Sequence, residues 1–335
     1  MNSPQFDLKD LPPSSFGLSE PFEWQALPGD ASVRRYVRLT TPSGSRILMI
    51  LNEREAFKSE EFSASSHVPE SKEMDFVAIG RDWKKQGIRV PEIFLVSEEP
   101  AFVVLEDLGS RLLFDERSSS ARIRHYQEAL RELAKIQALK PMQRIKSRRF
   151  NQELWDWELK HFFEYAIEKR QKQVEPEALE AFKRCLQDAG QRVLAQTACV
   201  LHRDYHSKNL MILDSGGVGV IDFQDALWGP PTYDLASLLR DSYVRLSDAE
   251  EAELLDFFEH QIEEKLDREL FVWTSIQRNL KAVGRFYYIS LVKQKDTHLS
   301  FVAPSLRRII QSFEELGQET EAQWVRSNFS EEMGD

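Results

Sequence analysis

The chain has 335 residues, of which 41% are hydrophobic, 30% charged and 11% aromatic, and its formal net charge is −11 at pH 7. This length supports one large domain or two lobes with separate cores, and the aromatic content argues against general disorder. The negative charge argues against nucleic acid or an anionic membrane as the main partner, and two cysteines are too few for a disulfide framework. With no apolar run of membrane-spanning length and no secretory signal at the start, a cytoplasmic protein is expected.

The first third of the chain has a β-type pattern. Residues 1–20 contain prolines and serines without periodicity and are predicted to be a loose lead-in. Alternating or continuous apolar runs then predict strands, and a helical spacing of apolar side chains predicts one helix. The strands are expected at 31–39, 47–51, 90–96 and 101–105, and the helix at 74–86. We therefore expect a small β-rich lobe over residues 21–108.

The remainder of the chain, residues 109–335, is dominated by helical spacing. Helices are predicted over 118–139, 154–174 and 176–194, and from 233 almost to the end. Two short β-like runs, at 200–213 and 218–223, interrupt this pattern and contain a polar segment. The predicted fold class is therefore α+β, with a small β-rich N-terminal lobe and a larger, mainly helical C-terminal lobe.

The polar segment reads LHRDYHSKN at 201–209 and is followed by VIDFQD at 220–225. It contains the pattern H-x-D-x-x-x-x-N, with a further aspartate 13 residues after the asparagine. Transfer of a phosphoryl group from ATP needs a carboxylate that orients and deprotonates the acceptor hydroxyl, and hard oxygen ligands for Mg²⁺. Asp204 is predicted to be the catalytic carboxylate, and Asn209 and Asp222 are predicted to bind the metal.

These residues also allow two other interpretations. The segment can be a pair of solvated polar turns, although the apolar runs on either side argue against it. His202 and His206 stand four residues apart and resemble half of a zinc site, but zinc needs a third ligand and this spacing needs a helix. We instead expect His202 to bind the backbone of the loop and to hold Asp204 in place.

These motifs resemble those of the aminoglycoside phosphotransferase and choline kinase-like superfamily, which has the two-lobed protein kinase-like fold. Residues 202–209 are similar to its catalytic loop, and 221–225 to its metal-binding segment. In GPPTYDLA at 229–236, the resemblance implies that Asp234 supports the catalytic loop from below. Within the superfamily, the sequence looks most like those of bacterial anomeric kinases of N-acetylmuramate and N-acetylglucosamine. This likeness is carried by LPGDASVRRYVR at 27–38 and by residues 223–241.

The resemblance also assigns the nucleotide site. A loop with Gly29 is expected to cover the phosphates, with donors from its neighbours Ser32, Arg34 and Arg35. The superfamily places a lysine on the next strand, where this chain has Met49. Either an arginine replaces that lysine or the protein binds ATP weakly. For adenine, the main chain of Glu106 and Leu108 is expected to supply one acceptor and one donor.

For the acceptor, Asp225 and Arg240 are predicted to recognise hydroxyl or carboxylate groups. A helix with Trp155, Trp157, Glu158, His161 and Tyr165 is a weaker candidate, since aromatic residues at helical spacing are usually core. The expected protein is a monomeric or weakly dimeric Mg-ATP-dependent kinase of a small molecule, most simply the anomeric hydroxyl of an N-acetyl amino sugar. A kinase of a cationic acceptor of aminoglycoside or choline type, a nucleotide-binding pseudokinase and a helical interaction protein are the alternatives.

Overall fold

The computed structural model describes residues 11–27, 34–51, 74–116 and 118–334. The chain divides into two compact units. The first comprises residues up to Arg111 together with Met211–Asp225, and the second comprises Leu112–Leu210 and Ala226–Asp335. Residues 211–225 group with the first unit because their backbone bonds to it, from Ile212 N to Arg111 O (2.8 Å) and from Val220 N to Arg89 O (2.8 Å).

The first unit is built on an antiparallel sheet whose strand order is β1-β2-β3-β5-β4. Its elements are β1 (Glu23–Ala26), β2 (Arg35–Thr41), β3 (Gly44–Ile50), α1 (Asp75–Lys85), β4 (Ile93–Ser97) and β5 (Phe102–Glu106). Val37 pairs with Leu48 and Tyr36 with Met49, so alternate residues of β2 and β3 share a face. On one face Val37, Leu48 and the adjoining residues of β5 form an apolar core.

The described part of the predicted lead-in is attached to this core. Pro13–Phe16 forms a short 3₁₀ turn, and Gly17 ends it with φ 68°, a conformation that glycine adopts without strain. The ring of Phe16 is 1% exposed and lies 5.4 Å from the ring of Phe102. Residues 11–20 therefore differ from the loose segment that was expected, because burial of one aromatic side chain contributes about 2–3 kcal/mol.

Helix α1 anchors the segment that contains Asp222. Its residues Phe76 and Trp83 are buried, as the helical spacing predicted, and both contact the ring of Phe223. A Cβ atom on Gly80 would lie 3.0 Å from that ring, so the small residue allows the close packing. In the chain, β7 (Leu210–Ile212) and β8 (Val218–Val220) lead into this segment and pair with each other.

The second unit is mainly helical. Its strands β6 (Cys199–Leu201) and β9 (Leu227–Gly229) pair antiparallel. Its helices are α2 (Ser119–Gln137), α3 (Gln143–Ser147), α4 (Gln152–His161), α5 (Pro176–Leu194), α6 (Thr232–Leu239), α7 (Asp248–Ile262), α8 (Arg268–Leu291), α9 (Val302–Glu315), α10 (Glu319–Asn328) and α11 (Ser330–Met333). In the ranges that the structure describes, no helix combines the length and apolar character needed to cross a membrane.

Helix α8 is largely buried and passes very close to α4. Beyond His161, α4 continues as a π-helical turn over Phe162–Glu168, so the predicted helix at 154–174 is two segments of different winding. A Cβ atom on Gly284 of α8 would overlap the backbone of His161 and Phe162. Glycine at position 284 therefore sets the separation of the two helices, and both carry residues of the candidate site.

Candidate active site

The loop that follows β6 is held from below by Asp234. One carboxylate oxygen of Asp234 accepts a hydrogen bond from the backbone N–H of His202 (2.6 Å), and the other accepts one from Arg203 (2.9 Å). Arg203 has φ 79°, a left-handed conformation that is costly for a residue with a side chain and that these bonds stabilise. Burial raises the pKa of Asp234 to about 7, against the opposing effect of the two N–H donors. This geometry matches the support that the resemblance implied.

The two ends of the loop are joined by hydrogen bonds through Asp204. The backbone N–H of Asp204 donates to His202 Nδ1 (3.3 Å), which is the holding role predicted for this histidine. Asn209 Nδ2 donates to the carbonyl oxygen of Asp204 (2.9 Å). Further along, the N–H of Ser207 donates to Asp241 Oδ2 (2.9 Å). The backbone around Asp204 is therefore fixed, while its carboxylate remains 37% exposed.

A buried set of charged and polar residues lies behind the loop, which we call the Glu158 cluster (Glu158, Arg203, Tyr233, Arg278 and Lys281). The Glu158 carboxylate is fully buried and accepts hydrogen bonds from Lys281 Nζ (2.7 Å), Tyr233 OH (2.7 Å) and Arg203 Nη2 (3.0 Å). Burial opposes ionisation, but Lys281, Arg203 and Arg278 lower the pKa of Glu158 to about 2. Glu158 is thus a buried anion that orders the cations around it.

The same cations control Asp204. Arg278 Nη1 lies 3.5 Å from Asp204 Oδ1 and also donates to Tyr233 OH (2.8 Å). Burial would raise the pKa of Asp204, but Lys281, Arg278 and Arg203 together hold it well below its usual value. Asp204 is therefore ionised throughout the physiological pH range. It is a ready hydrogen-bond acceptor for a hydroxyl and a weak base.

Arg278 and Lys281 were not predicted from the sequence as site residues, whereas Glu158 was predicted as a weaker candidate for the acceptor site. A signal for them was present, because residues 278, 281 and 285 are all basic and recur on successive turns of a helix that is otherwise rich in apolar side chains. The predicted aromatic residue Trp155 belongs to the core, where its Nε1 donates to the carbonyl oxygen of Leu186 (3.0 Å).

A cavity of about 100 Å³ opens beside Asp204 within the second unit. Its lining includes two acids, four cations and two aromatic residues: Asp204, Asp241, Arg240, Arg278, Lys281, Arg285, Tyr243 and Phe286. Arg240, which was predicted to bind the acceptor, is 5% exposed, and its guanidinium binds Glu251 (2.7 Å) and Glu315 (2.7 Å). These two ion pairs give Arg240 a structural role in this conformation. A contact between Arg240 and the acceptor remains a prediction.

Asp222 has an unusual backbone and a basic neighbour. Its φ is 63°, which is left-handed and uncommon for a residue other than glycine. Asp222 Oδ1 accepts a hydrogen bond from Gln224 Nε2 (3.0 Å) and lies 3.7 Å from Arg34 Nη1. Gln224 Nε2 also donates to Asp225 Oδ2 (3.0 Å). Burial opposes the charge on Arg34, but nearby Tyr36 and Asp222 outweigh it and raise the pKa of Arg34.

The other residues considered for the phosphate site are Gly29, Ser32, Arg35 and Met49. Gly29 and Ser32 lie outside the described residues. Arg35, the first residue of β2, is exposed, whereas Arg34, just before the strand, is partly buried and lies beside Asp222. Met49 is fully buried.

At the predicted adenine site, the Glu106 side chain is bound by Arg89 through two hydrogen bonds (2.8 and 2.7 Å). These bonds are the main reason that the pKa of Glu106 is lowered to about 2. Its backbone N–H donates to Glu92 O (2.8 Å). Leu108 is buried, and a Cβ atom on Gly219 would lie 2.6 Å from its Cδ1.

The donor chemistry of Asn209 and Asp222 fits Mg²⁺. Carboxylate and amide oxygens are the hard ligands that Mg²⁺ prefers. Because Asn209 donates through Nδ2 to Asp204, its Oδ1 faces away from that bond and is available as a ligand. Asp222 has a carboxylate that is 45% exposed. Each residue therefore offers an oxygen of the required kind.

Comparison with known proteins identifies the family of the chain. The model of the phosphotransferase enzyme family matches residues 23–270. The N-acetylmuramate/N-acetylglucosamine kinase of Neisseria meningitidis serogroup B is 28% identical over 307 residues, which cover 86% of this chain and 85% of that protein. The enzyme of the same name from Pseudomonas putida is 29% identical over 271 residues, which cover 78% of this chain and 75% of that protein.

Solved structures with a similar fold include a choline kinase from Streptococcus pneumoniae. Its TM-score is 0.61 at 15% sequence identity, and the match covers 88% of this chain and 94% of that one. An ADP-bound aminoglycoside phosphotransferase gives a TM-score of 0.59 at 15% identity, covering 92% and 96%. These likenesses confirm the predicted α+β, protein kinase-like fold. Since the family model matches well over half of the residues, the chain belongs to the phosphotransferase enzyme family.

Proposed function

We propose that the protein transfers the γ-phosphate of Mg-ATP to the anomeric hydroxyl of N-acetylmuramate or N-acetylglucosamine, as a cytoplasmic step of cell-wall recycling. The observation that carries the proposal is the fixed loop that presents the ionised Asp204 to the cavity in the second unit. The acceptor class rests on the names of the curated relatives.

Asp204 orients the acceptor hydroxyl by accepting its hydrogen bond. A carboxylate with a depressed pKa is a weak base, and phosphoryl transfer passes through a loose transition state that makes little demand on base strength. A hemiacetal hydroxyl is also more acidic than an ordinary alcohol, which suits such a base. As the bond between the γ-phosphorus and the ADP oxygen breaks, the acceptor oxygen forms the new P–O bond and its proton moves to Asp204 Oδ. ADP leaves, and the proton passes from Asp204 to solvent.

The metal and nucleotide roles follow from the chemistry of each residue. Asn209 and Asp222 are assigned to Mg²⁺, which when bound neutralises charge on the phosphates. Arg34 supplies the fixed positive charge that the superfamily takes from a lysine, and Gly29 and Ser32 belong to the phosphate loop. Arg35, exposed at the start of β2, contributes less to phosphate binding than Arg34. The main chain of Glu106 and Leu108 binds adenine, and Asp225 and Arg240 remain assigned to the acceptor.

Two alternatives are less well supported. A pseudokinase with weak affinity for ATP was suggested by Met49, but Arg34 provides a cation beside Asp222 (3.7 Å). A cationic acceptor of aminoglycoside or choline type would need carboxylates around it. In the lining of the cavity beside Asp204, the acid Asp204 is paired with Arg278, and Arg285 has no carboxylate within ion-pair distance among the described residues, which favours a neutral or anionic acceptor.

The test is incubation with ATP, Mg²⁺ and each sugar, followed by phosphorus NMR. The expected product is a sugar 1-phosphate, whose phosphorus couples to the anomeric proton, and Asp204→Asn serves as the inactive control. A 6-phosphate, or turnover only with aminoglycosides or choline, would contradict the proposed acceptor and leave the kinase assignment intact.

A further inference from the structure

Three basic residues of α8 line the cavity beside Asp204, and they differ in their partners. Arg278 binds Tyr233 and lies against Asp204, and Lys281 binds Glu158. The third, Arg285, is half-buried, with its guanidinium 4.8 Å from the ring centre of Tyr288. Among the residues that the structure describes, no carboxylate lies within ion-pair distance of Arg285.

The acids of the cavity do not balance Arg285. Asp204 faces Arg278, and Asp241 accepts hydrogen bonds from the backbone N–H groups of Ser207 (2.9 Å) and Tyr243 (2.8 Å). Partial burial of a cation is costly unless an anion pairs with it, so a bound anion would be stabilised here.

We propose that Arg285 is a specificity-determining residue that binds a carboxylate group on the acceptor. The inference rests on the proposed function, because it places the acceptor in this cavity. A guanidinium binds a carboxylate through two parallel hydrogen bonds, and the ring of Tyr288 holds Arg285 in one orientation. N-Acetylmuramate carries such a carboxylate, and N-acetylglucosamine lacks it.

The spacing along α8 agrees with this assignment. Arg278, at Asp204, and Arg285 are seven residues apart, which corresponds to about 10 Å along the helix axis. Arginine is long, so Arg285 can meet a substituent on the far side of a sugar ring whose anomeric hydroxyl is held by Asp204. Tyr243 and Phe286 line the same cavity and provide apolar contact for the ring.

The experiment compares the two sugars on matched variants. Binding of each sugar is measured by titration calorimetry with a non-hydrolysable ATP analogue and Mg²⁺ present, and kcat/KM is measured where turnover occurs. Arg285→Gln is expected to weaken N-acetylmuramate binding about tenfold to a hundredfold, the range for loss of a charge-assisted hydrogen bond, and to change N-acetylglucosamine binding little. Arg285→Lys is expected to retain part of the preference, because it keeps the charge and loses the fork.

Arg192→Gln is the control, because Arg192 is 50% exposed in the same unit and its loss changes the net charge equally. Equal weakening of both sugars by Arg285→Gln, no weakening of either, or no N-acetylmuramate binding to the unmodified protein would overturn the inference. A higher KM for ATP with unchanged sugar binding would also overturn it and would assign Arg285 to the nucleotide. Sugar binding that depends on Arg285 without any phosphorylation would support the inference and refute the proposed function.

Discussion

Arg34 Nη1 lies 3.7 Å from Asp222 Oδ1. Arg34 immediately precedes β2, which pairs with β3, where the buried Met49 stands at the position of the superfamily's lysine. The pair joins a fixed positive charge to the residue assigned to the metal. A guanidinium can take over the charge of the absent lysine, and it also donates from a planar fork that suits phosphate oxygens. Arg34 and its neighbour Arg35 therefore provide a matched pair of variants.

Arg34→Ala is expected to raise the KM for ATP about tenfold or more, since it removes a charge-assisted contact to phosphate. Arg35→Ala removes the same charge from the adjacent, exposed position and is expected to change this KM little. Steady-state kinetics at varied ATP concentration measure both. An unchanged KM for ATP in Arg34→Ala would show that another basic residue holds the phosphates.

Asp204→Asn is expected to lower kcat by about two to four orders of magnitude, the span of a positioned general base. Binding of an ATP analogue should persist, because the backbone N–H of residue 204 donates to His202 and its carbonyl oxygen accepts from Asn209, and neither bond involves its carboxylate. Calorimetry of nucleotide binding and circular dichroism provide the controls. Near-normal turnover would refute the assigned mechanism.

Asp222→Ala is expected to act on binding rather than on turnover alone. The substitution removes a formal negative charge that is assigned to Mg²⁺, so the metal-dependent part of nucleotide affinity should disappear. Titration of an ATP analogue with and without Mg²⁺ measures that part directly. A variant whose nucleotide affinity still increases on addition of Mg²⁺ would exclude Asp222 as a ligand.

Glu158→Gln is expected to lower the free energy of unfolding by about 3–5 kcal/mol, the usual cost of leaving buried charges without their partner. The folded-state pKa of Glu158 is lowered to about 2, so its stabilising contribution is complete above pH 4.5 and is lost as the pH falls towards 2. Denaturant unfolding across this pH range should show a smaller loss in the variant than in the unmodified protein. Glu180→Gln is the control, because its carboxylate is exposed and its ion pair with Lys183 is solvated, so it should change the profile only slightly.

The sequence predicted the parts of this structure that depend on local pattern. The strands β2, β3, β4 and β5 and the helices α1, α2 and α5 lie close to their predicted positions, whereas β1 was not predicted, and the loop at 202–209 was identified by its motif. The Glu158 cluster was not predictable in this way, because Glu158 and Lys281 are 123 residues apart and meet only when α4 packs on α8. For the same reason the partners of Arg240, which lie on α7 and α9, were not foreseen.

The choice between Arg34 and Arg35 shows a second limit. The two residues are adjacent and of the same type, and only the folded structure shows that Arg34, just before β2, lies beside Asp222 while Arg35 is exposed. Phe16 shows a third limit of prediction from the sequence. It lies in a proline- and serine-rich segment without periodicity, so its contact with Phe102 of the sheet could not be inferred.

The glycine at position 284 separates the part of α8 that holds Asp204 from the part that can vary. The backbone of α8 is positioned by its approach to His161, and Arg278 and Lys281, which act on Asp204 and Glu158, come before Gly284 on this helix. Substitutions after Gly284 on the cavity face, such as at Arg285, can therefore alter which molecule is accepted while these contacts are kept. In such a scaffold, new substrates can be acquired by changing a few side chains on one helix.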